Sequence, residues 1–249
     1  EASNRQDQYR RGRMAVYYYP YRYMALKDQN GRYAALVRMM EECEGESLAE
    51  ALPFLQEDAG LQARLPALQS LPDNYSRAFS YSQLARIRRG QVSATVLAQN
   101  SSFFSFHKGS AALEAVRLAG AFFGKGQFKG DTLQAKDGLF LLQQNLEGPY
   151  FQPLPAEQLK QEGNWSDGNR RLRPQSEVQH LQTQVSVLEN DGRFELTFTI
   201  QGTENVPVAI ELAFREGGRL QGVTGLADID HGYLLEKGMG KYSYDGMEI

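Results

Sequence analysis

The chain predicts a mainly β protein: a large antiparallel β-sandwich, supersandwich-like, preceded by a short α-helical segment. Three observations carry this. Phe194, Leu196, Phe198 and Ile200 alternate with Glu195, Thr197 and Thr199, and Val206, Val208, Ile210, Leu212 and Phe214 alternate with Ala209, Glu211 and Ala213. Such period-two segments, with one apolar and one mostly polar face, belong to an antiparallel sheet packed on one side. Turn signals recur between the apolar runs, above all Lys136-Asp137-Gly138 and Glu189-Asn190-Asp191-Gly192, which mark tight hairpins. Ahead of Phe79 the spacing is helical instead, and this change of period divides a helical segment, 1–78, from a sandwich domain, 79–249.

Taken in order, residues 1–13 are polar and arginine-rich, a solvated end. Val16 to Tyr23 holds five tyrosines, at 17, 18, 19, 21 and 23. Such a cluster either lines a sugar cleft, with rings stacking on sugar faces and hydroxyls bonding outward, or packs one helix on another. Met24–Lys27 and Tyr33–Cys43 have helical spacing, with Asn30-Gly31 between them. Leucines from Leu48 to Leu71 recur at helical intervals but are interrupted by Pro53 and Pro66, so short, broken helices are expected.

Tyr81–Arg88 reads as the entry strand of the β domain. The tract from Gln91 to Phe128 follows, cut by Asn, Ser and Gly into pieces of strand length. Val92-Ser93-Ala94-Thr95-Val96 alternates cleanly, and Phe103–His107 is short and aromatic. Ala111–Phe123 has no clean period and is placed as a strand by its hairpin-like neighbours. Asp131–Ala135 and Leu139–Leu146 flank the Asp137-Gly138 turn. Gly148–Gln179, rich in proline and polar residues, reads as a long functional or disordered loop. The glycine-rich end, Gly222–Gly246, reads as short strands and turns.

A net charge of -3 lacks the basic field of a nucleic-acid binder, so no nucleic acid is expected as a partner. The single cysteine, Cys43, permits no internal disulfide and no cysteine-based zinc cluster. No apolar run reaches the ~20 residues of a bilayer span, so no membrane span is expected. The final residues, Tyr244–Ile249, read as a turn and a strand cut short, so a fragment is expected whose targeting sequence lies elsewhere.

Few constellations carry chemistry. No phosphate-binding loop, dinucleotide fingerprint or nucleophile elbow occurs, and no cofactor is expected. The three histidines are His107, His180 and His231. Asp228-Ile229-Asp230-His231 puts two carboxylates on one side of a strand, but an Asp-rich turn is commoner than a metal site, and no metal is expected. His107, alternating with Phe103 and Ser105, reads as a hydrogen-bonded sheet residue. The best binding candidates are Trp165, Arg170 and Arg171, with Arg173, in the loop from Gly163. An exposed indole stacks on sugar rings, and an arginine fork matches a uronate carboxylate or a sulfate. A solvated loop with one anchoring aromatic is the alternative.

The order of parts resembles a known group. A helical end, YYYPYRYMALKDQNGRYAALVRMM, runs into SATVLAQNSSFFSFHKGSAALEAVRLAGAFFGKGQF. This is similar to the junction of toroid and sandwich in heparinase II/III-like and chondroitin- or hyaluronate-lyase-like polysaccharide lyases. The resemblance covers residues 14–249 and rests on layout, with no catalytic motif matched. It implies the C-terminal part of a lyase-like protein acting on acidic polysaccharides or oligosaccharides, inactive alone, and a periplasmic or secreted location. Two alternatives stand beside it: a non-catalytic carbohydrate-binding or structural module, and a mutarotase-like sugar epimerase. The last requires two histidines and a carboxylate to converge.

Overall fold

The structure is a computed structural model that describes residues 16–43, 47–154 and 172–249. The chain divides into two compact units, Glu1–Tyr75 and Ser76–Ile249.

The first unit is helical. Its helices are α1 (Tyr18–Lys27), α2 (Gly31–Cys43) and α3 (Leu52–Glu57), with single 3₁₀ turns at Ser47–Ala51 and Ala59–Gln62. Pro53 stands in the first turn of α3, where a missing N–H costs nothing. Ala25, Ala34, Val37 and Met40 are buried between α1 and α2, with Leu65 and Ala51 closing the cluster. Small residues at the contact let the two helix backbones approach closely. Helix does not continue to residue 78: after Gln62 regular structure stops, and the first strand already begins at Asn74.

The second unit is built of antiparallel strands. β1 (Asn74–Phe79), β2 (Leu84–Arg89), β3 (Val92–Leu97), β4 (Phe104–Lys108) and β5 (Ala111–Gly120) follow one another, then β6 (Thr132–Lys136), β7 (Leu139–Phe151), β8 (Gln175–Asn190), β9 (Arg193–Gly202) and β10 (Val208–Phe214). One sheet has the order β1-β2-β3-β4-β5-β10, and a second has the order β6-β7-β8-β9. Their inner faces share one core. Ile87, Ala94, Val96, Phe104, Val116 and Leu118 come from the first sheet, and Phe140, Leu142, Val185 and Val187 from the second. Mainly β, antiparallel and sandwich-like is therefore what the alternation predicted.

The hairpin turns have the chemistry that their sequences announced. Asp137 and Gly138 have φ of 49° and 80°, and Asp191 and Gly192 have 48° and 80°. Two successive positive φ values make the primed turn whose twist suits a two-residue hairpin, and glycine takes the second position without strain.

Three details differ from the sequence reading. Ser80–Gln83 is a turn rather than the start of a strand: Gln83 adopts φ 49°, and its side-chain amide donates to Ser80 O at 2.6 Å. Strand enters both ends of Gly148–Gln179, which the sequence reads as loop: β7 runs to Phe151 and β8 begins at Gln175. β6 pairs with β7 only as far as Gln143, so Pro149 lies where one edge of the strand carries no ladder. Finally, Ile210 is 51% exposed although it stands beside Leu118 on the core face. β10 is the last strand of its sheet, and its Val208, Ile210 and Leu212 are all exposed.

The remaining strands are short. β11 (Arg219–Gln221), β14 (Lys241–Tyr244) and β15 (Met247–Glu248) form a three-stranded sheet, while β12 (Thr224–Gly225) pairs with β13 (Tyr233–Leu234). Tyr242 stacks on Phe214 at 4.0 Å and joins Ala111 and Met247 in a small satellite core.

Candidate functional site

The inner face of β7 runs Phe140, Leu142, Gln144, Leu146, Gly148, Tyr150, and its far end leaves the core. There the side chains become aromatic and exposed: Phe123 is 40% exposed, Tyr150 52% and Phe151 41%. Phe123 and Tyr150 meet edge to face at 4.9 Å, and Phe122 and Phe123 at 5.0 Å. Phe122 is buried and anchors the pair.

The turn after β5 sets this geometry. Lys125 N donates to Phe122 O at 2.8 Å, and Gly120 N to Gly126 O at 2.7 Å. Within it Phe123 takes φ 46°. For a bulky L-residue this left-handed conformation costs about 1–2 kcal/mol. The ring it presents lies against Gly148, where any β-carbon would overlap it. A strained aromatic held at the surface over a glycine is the kind of local outlier that points to a site.

Two cations flank the rings. Lys125 is exposed and donates from Nζ to Glu147 O at 2.6 Å. Arg173 holds the root of the proline-rich loop: Nε donates to Gln152 O at 2.9 Å and Nη2 to Phe151 O at 2.6 Å. Its guanidinium also lies 5.7 Å from the centre of the Phe151 ring. Arg173 therefore ties the end of β7 to the residues just ahead of β8, and Gln152 N donating to Pro174 O at 2.8 Å adds a second tie. Beside the rings a cleft of about 460 Å³ is lined by Lys125, Asn145, Leu146, Glu147, His180 and Gln182, among others. Within it His180 Nδ1 is 3.9 Å from Glu147 Oε1, both side chains being well exposed.

Trp165, Arg170 and Arg171 lie outside the described residues. The loop that carries them springs from Gln152 and Pro174, the aromatic end of β7 and β8. Sequence reading missed Phe123, Tyr150 and Phe151, because aromatics at strand ends look like core residues. The signal that was present is the Phe122-Phe123-Gly124-Lys125-Gly126 string: consecutive aromatics before a glycine turn cannot both face inward.

The other candidates separate. His107 stands on β4, on the outer face of the six-stranded sheet, opposite Ser93 and Ala112. Burial, then the charges of Arg215 and Arg86, pushes its pKa below the ordinary value, so a neutral ring is favoured. Ser105 on the same face is fully buried, and its hydroxyl has no hydrogen-bond partner among the described residues. His180 is on β8, and His231 lies in the exposed turn between β12 and β13, 3.6 Å from Asp230. Asp228 and Asp230 thus belong to a turn, not to one side of a strand. Among the described residues no three of His, Cys, Asp and Glu gather closely enough to hold a metal ion. The tyrosines of α1 are used chiefly in packing. Tyr21 stacks on Tyr33 at 5.9 Å, Tyr19 meets Phe54 at 5.2 Å, and buried Tyr18 donates to Glu41 at 2.7 Å. No described helix is long and apolar enough to cross a membrane.

Comparison with protein-family models, with curated proteins and with solved structures gives no match.

Proposed function

We propose that this chain is a glycan-binding β-sandwich of polysaccharide-lyase type, and that the end of β7 forms part of the wall of a cleft for acidic polysaccharides. One observation carries the reading: at the end of β7 the exposed Phe123 and Tyr150 rings meet edge to face with Lys125 in the same turn as Phe123, and the next residue, Phe151, carries the Arg173 guanidinium near its exposed ring. Aromatic faces cover the apolar face of a pyranose, and a nearby ammonium selects a chain that carries carboxylates. An exposed patch of large apolar rings costs solubility, which is why such patches usually mark contact sites.

Binding, not turnover, is the role proposed for this portion. Proton abstraction beside a uronate carboxylate needs a base placed within hydrogen-bond reach of the sugar. His180 and Glu147 line the cleft that Lys125 also lines, but they are exposed and stand 3.9 Å apart, so neither is held by burial or by a short mutual hydrogen bond. The epimerase alternative draws no support, since its three histidines stand on β4, β8 and the β12–β13 turn.

The test is a titration with an oligomannuronate and with a neutral oligosaccharide of equal length, at low and high salt. Phe123→Ala with Tyr150→Ala should weaken binding of both, while Lys125→Gln should weaken only the uronate. Salt should act on the uronate alone, because the screening length falls to about 3 Å at 1 M. Unchanged uronate binding by the Phe123/Tyr150 variant would remove the platform from the cleft.

A further inference from the structure

We infer that the outer face of the four-stranded sheet is a second contact for the same glycan, one that reads uncharged hydroxyls. The inference rests on the reading above for the class of ligand, but its evidence is independent. The register of the sheet sets Thr132, Gln143, Gln184 and Thr199 side by side in one row across β6, β7, β8 and β9. The row on one side is Gln134, Leu141, Ser186 and Thr197, and the row on the other is Asn145, Gln182 and Gln201. Of these eleven side chains ten are uncharged polar groups and one is apolar. Charges return only beyond the three rows, at Lys136 and Glu195 on one side and at Glu147 and His180 on the other.

A sheet face that only has to stay in water is ordinarily kept there by lysine and glutamate, which also discourage association. Amides and hydroxyls do neither well. What they supply is a donor and an acceptor on each side chain, the match for a hydroxyl that both gives and takes a hydrogen bond. Gln143 Nε2 already donates to Gln184 Oε1 at 3.1 Å, so the central row contains two amides aligned head to tail. Neighbouring strands are about 4.8 Å apart, so each row offers one polar group per step of about that length. That step is close to the length of one pyranose ring in an extended chain.

The same composition argues against other occupants. A protein partner needs an apolar centre; within the rows only the half-buried Leu141 is apolar, and the exposed Leu139 and Leu188 stand in the next row, between Lys136 and Glu195, at the rim of the face and not at its centre. A nucleic acid needs cations on the face, and these rows have none. The uncharged hydroxyls of a polysaccharide chain are the chemistry left. The face is continuous with the cleft described above, since Asn145, Gln182, Glu147 and His180 line that cleft too.

The experiment is a nuclear magnetic resonance titration of the full chain with cellohexaose and with hexamannuronate. Cellohexaose should shift the side-chain amide signals of Gln143, Gln182, Gln184 and Gln201, and to the same extent at low and high salt. Gln143→Ala combined with Gln184→Ala should weaken cellohexaose roughly tenfold, the worth of one or two net hydrogen bonds. Should that double variant fail to fold, Gln182→Ala at an exposed position serves in its place, with a smaller loss in the same direction. Amide signals that respond to neither sugar overturn the inference, as do signals that move with protein concentration alone, which would make the face a contact between copies. Shifts confined to Phe123, Tyr150 and Lys125 overturn it while leaving the platform standing. Shifts at the glutamines without shifts at the rings support it and remove the platform.

Discussion

Arg89 and Glu189 form a two-point ion pair that ties one sheet of the sandwich to the other. Arg89 Nε donates to Glu189 Oε1 at 3.1 Å and Nη2 to Oε2 at 2.8 Å. Arg89 ends β2 in the six-stranded sheet, and Glu189 lies near the end of β8 in the four-stranded one. The carboxylate also accepts from Gly192 N at 2.9 Å, so it holds the β8–β9 turn as well. With only 4% of its side chain exposed, Glu189 cannot be rescued by water if its partner is removed.

Arg89→Ala should therefore cost about 3 kcal/mol or more, the range for breaking a buried pair from one side. Glu189→Ala should cost less, because the Arg89 side chain left behind is 21% exposed, and the double variant should cost less than the sum of the two. Urea unfolding of the three variants measures this. A coupling below about 0.5 kcal/mol, the ordinary scatter of independent sites, would show that the pair does not join the sheets.

The sandwich was legible in the sequence where a strand is packed on one face only. Phe194 to Ile200 and the two Asp-Gly turns are local signals, and the structure uses them as read. Ile210 shows the limit. Its alternation is as regular as that of Phe198, yet periodicity says which face a residue shares and not whether anything covers that face. Coverage depends on strand order, which places β10 last in its sheet. Arg89 and Glu189 are far apart in the chain, and the rows of glutamines exist only once the register of four strands is set. Neither leaves a local trace.

Core substitutions should follow coverage. Phe103 is fully buried and meets Phe128 edge to face at 5.3 Å, so Phe103→Ala should cost roughly 3–5 kcal/mol. Phe198 is half-buried, 6.3 Å from the Phe103 ring, and its truncation should fall below that range, at about 2 kcal/mol. Ile210→Ala should stay within about 1 kcal/mol. Chemical denaturation of the three variants ranks them. An Ile210 cost equal to that of Phe103 would mean that β10 is covered in solution.

Asp245 predicts a pH dependence. Its carboxylate accepts from the Ser110 hydroxyl at 2.6 Å and from Ser110 N at 2.8 Å, linking the β14–β15 turn to the β4–β5 turn. These bonds, the side-chain one first, hold its pKa below the ordinary carboxyl value, with Lys108 adding to the effect. A depressed native pKa means that the unfolded state binds the proton more readily. The stabilisation is then complete above the ordinary value near 3.9 and disappears as pH falls through the native value. Wild type should lose stability on acidification through that window, and Asp245→Asn should show a shallower slope there. Equal slopes for the two proteins would show that the Ser110 bonds do not persist in solution.

The ring platform can be displaced without touching an aromatic residue. Gly148 is buried beneath Phe123, and a β-carbon at that position would overlap the ring. Gly148→Ala should therefore push Phe123 outward, which its left-handed turn cannot easily absorb, and break the edge-to-face packing with Tyr150. Phe123→Gly removes the ring by another route. It relieves about 1 kcal/mol of backbone strain, which offsets part of the packing energy that the ring shares with Phe122 and Tyr150, so its stability should stay within about 1 kcal/mol of wild type. The two variants thus separate fold from function: the first strains the turn and the second relaxes it, yet both should lose oligomannuronate binding. Chemical denaturation and titration of the same samples would check this. Retained binding by Gly148→Ala, with its native fold confirmed by circular dichroism, would mean that the Phe123 ring does not touch the sugar.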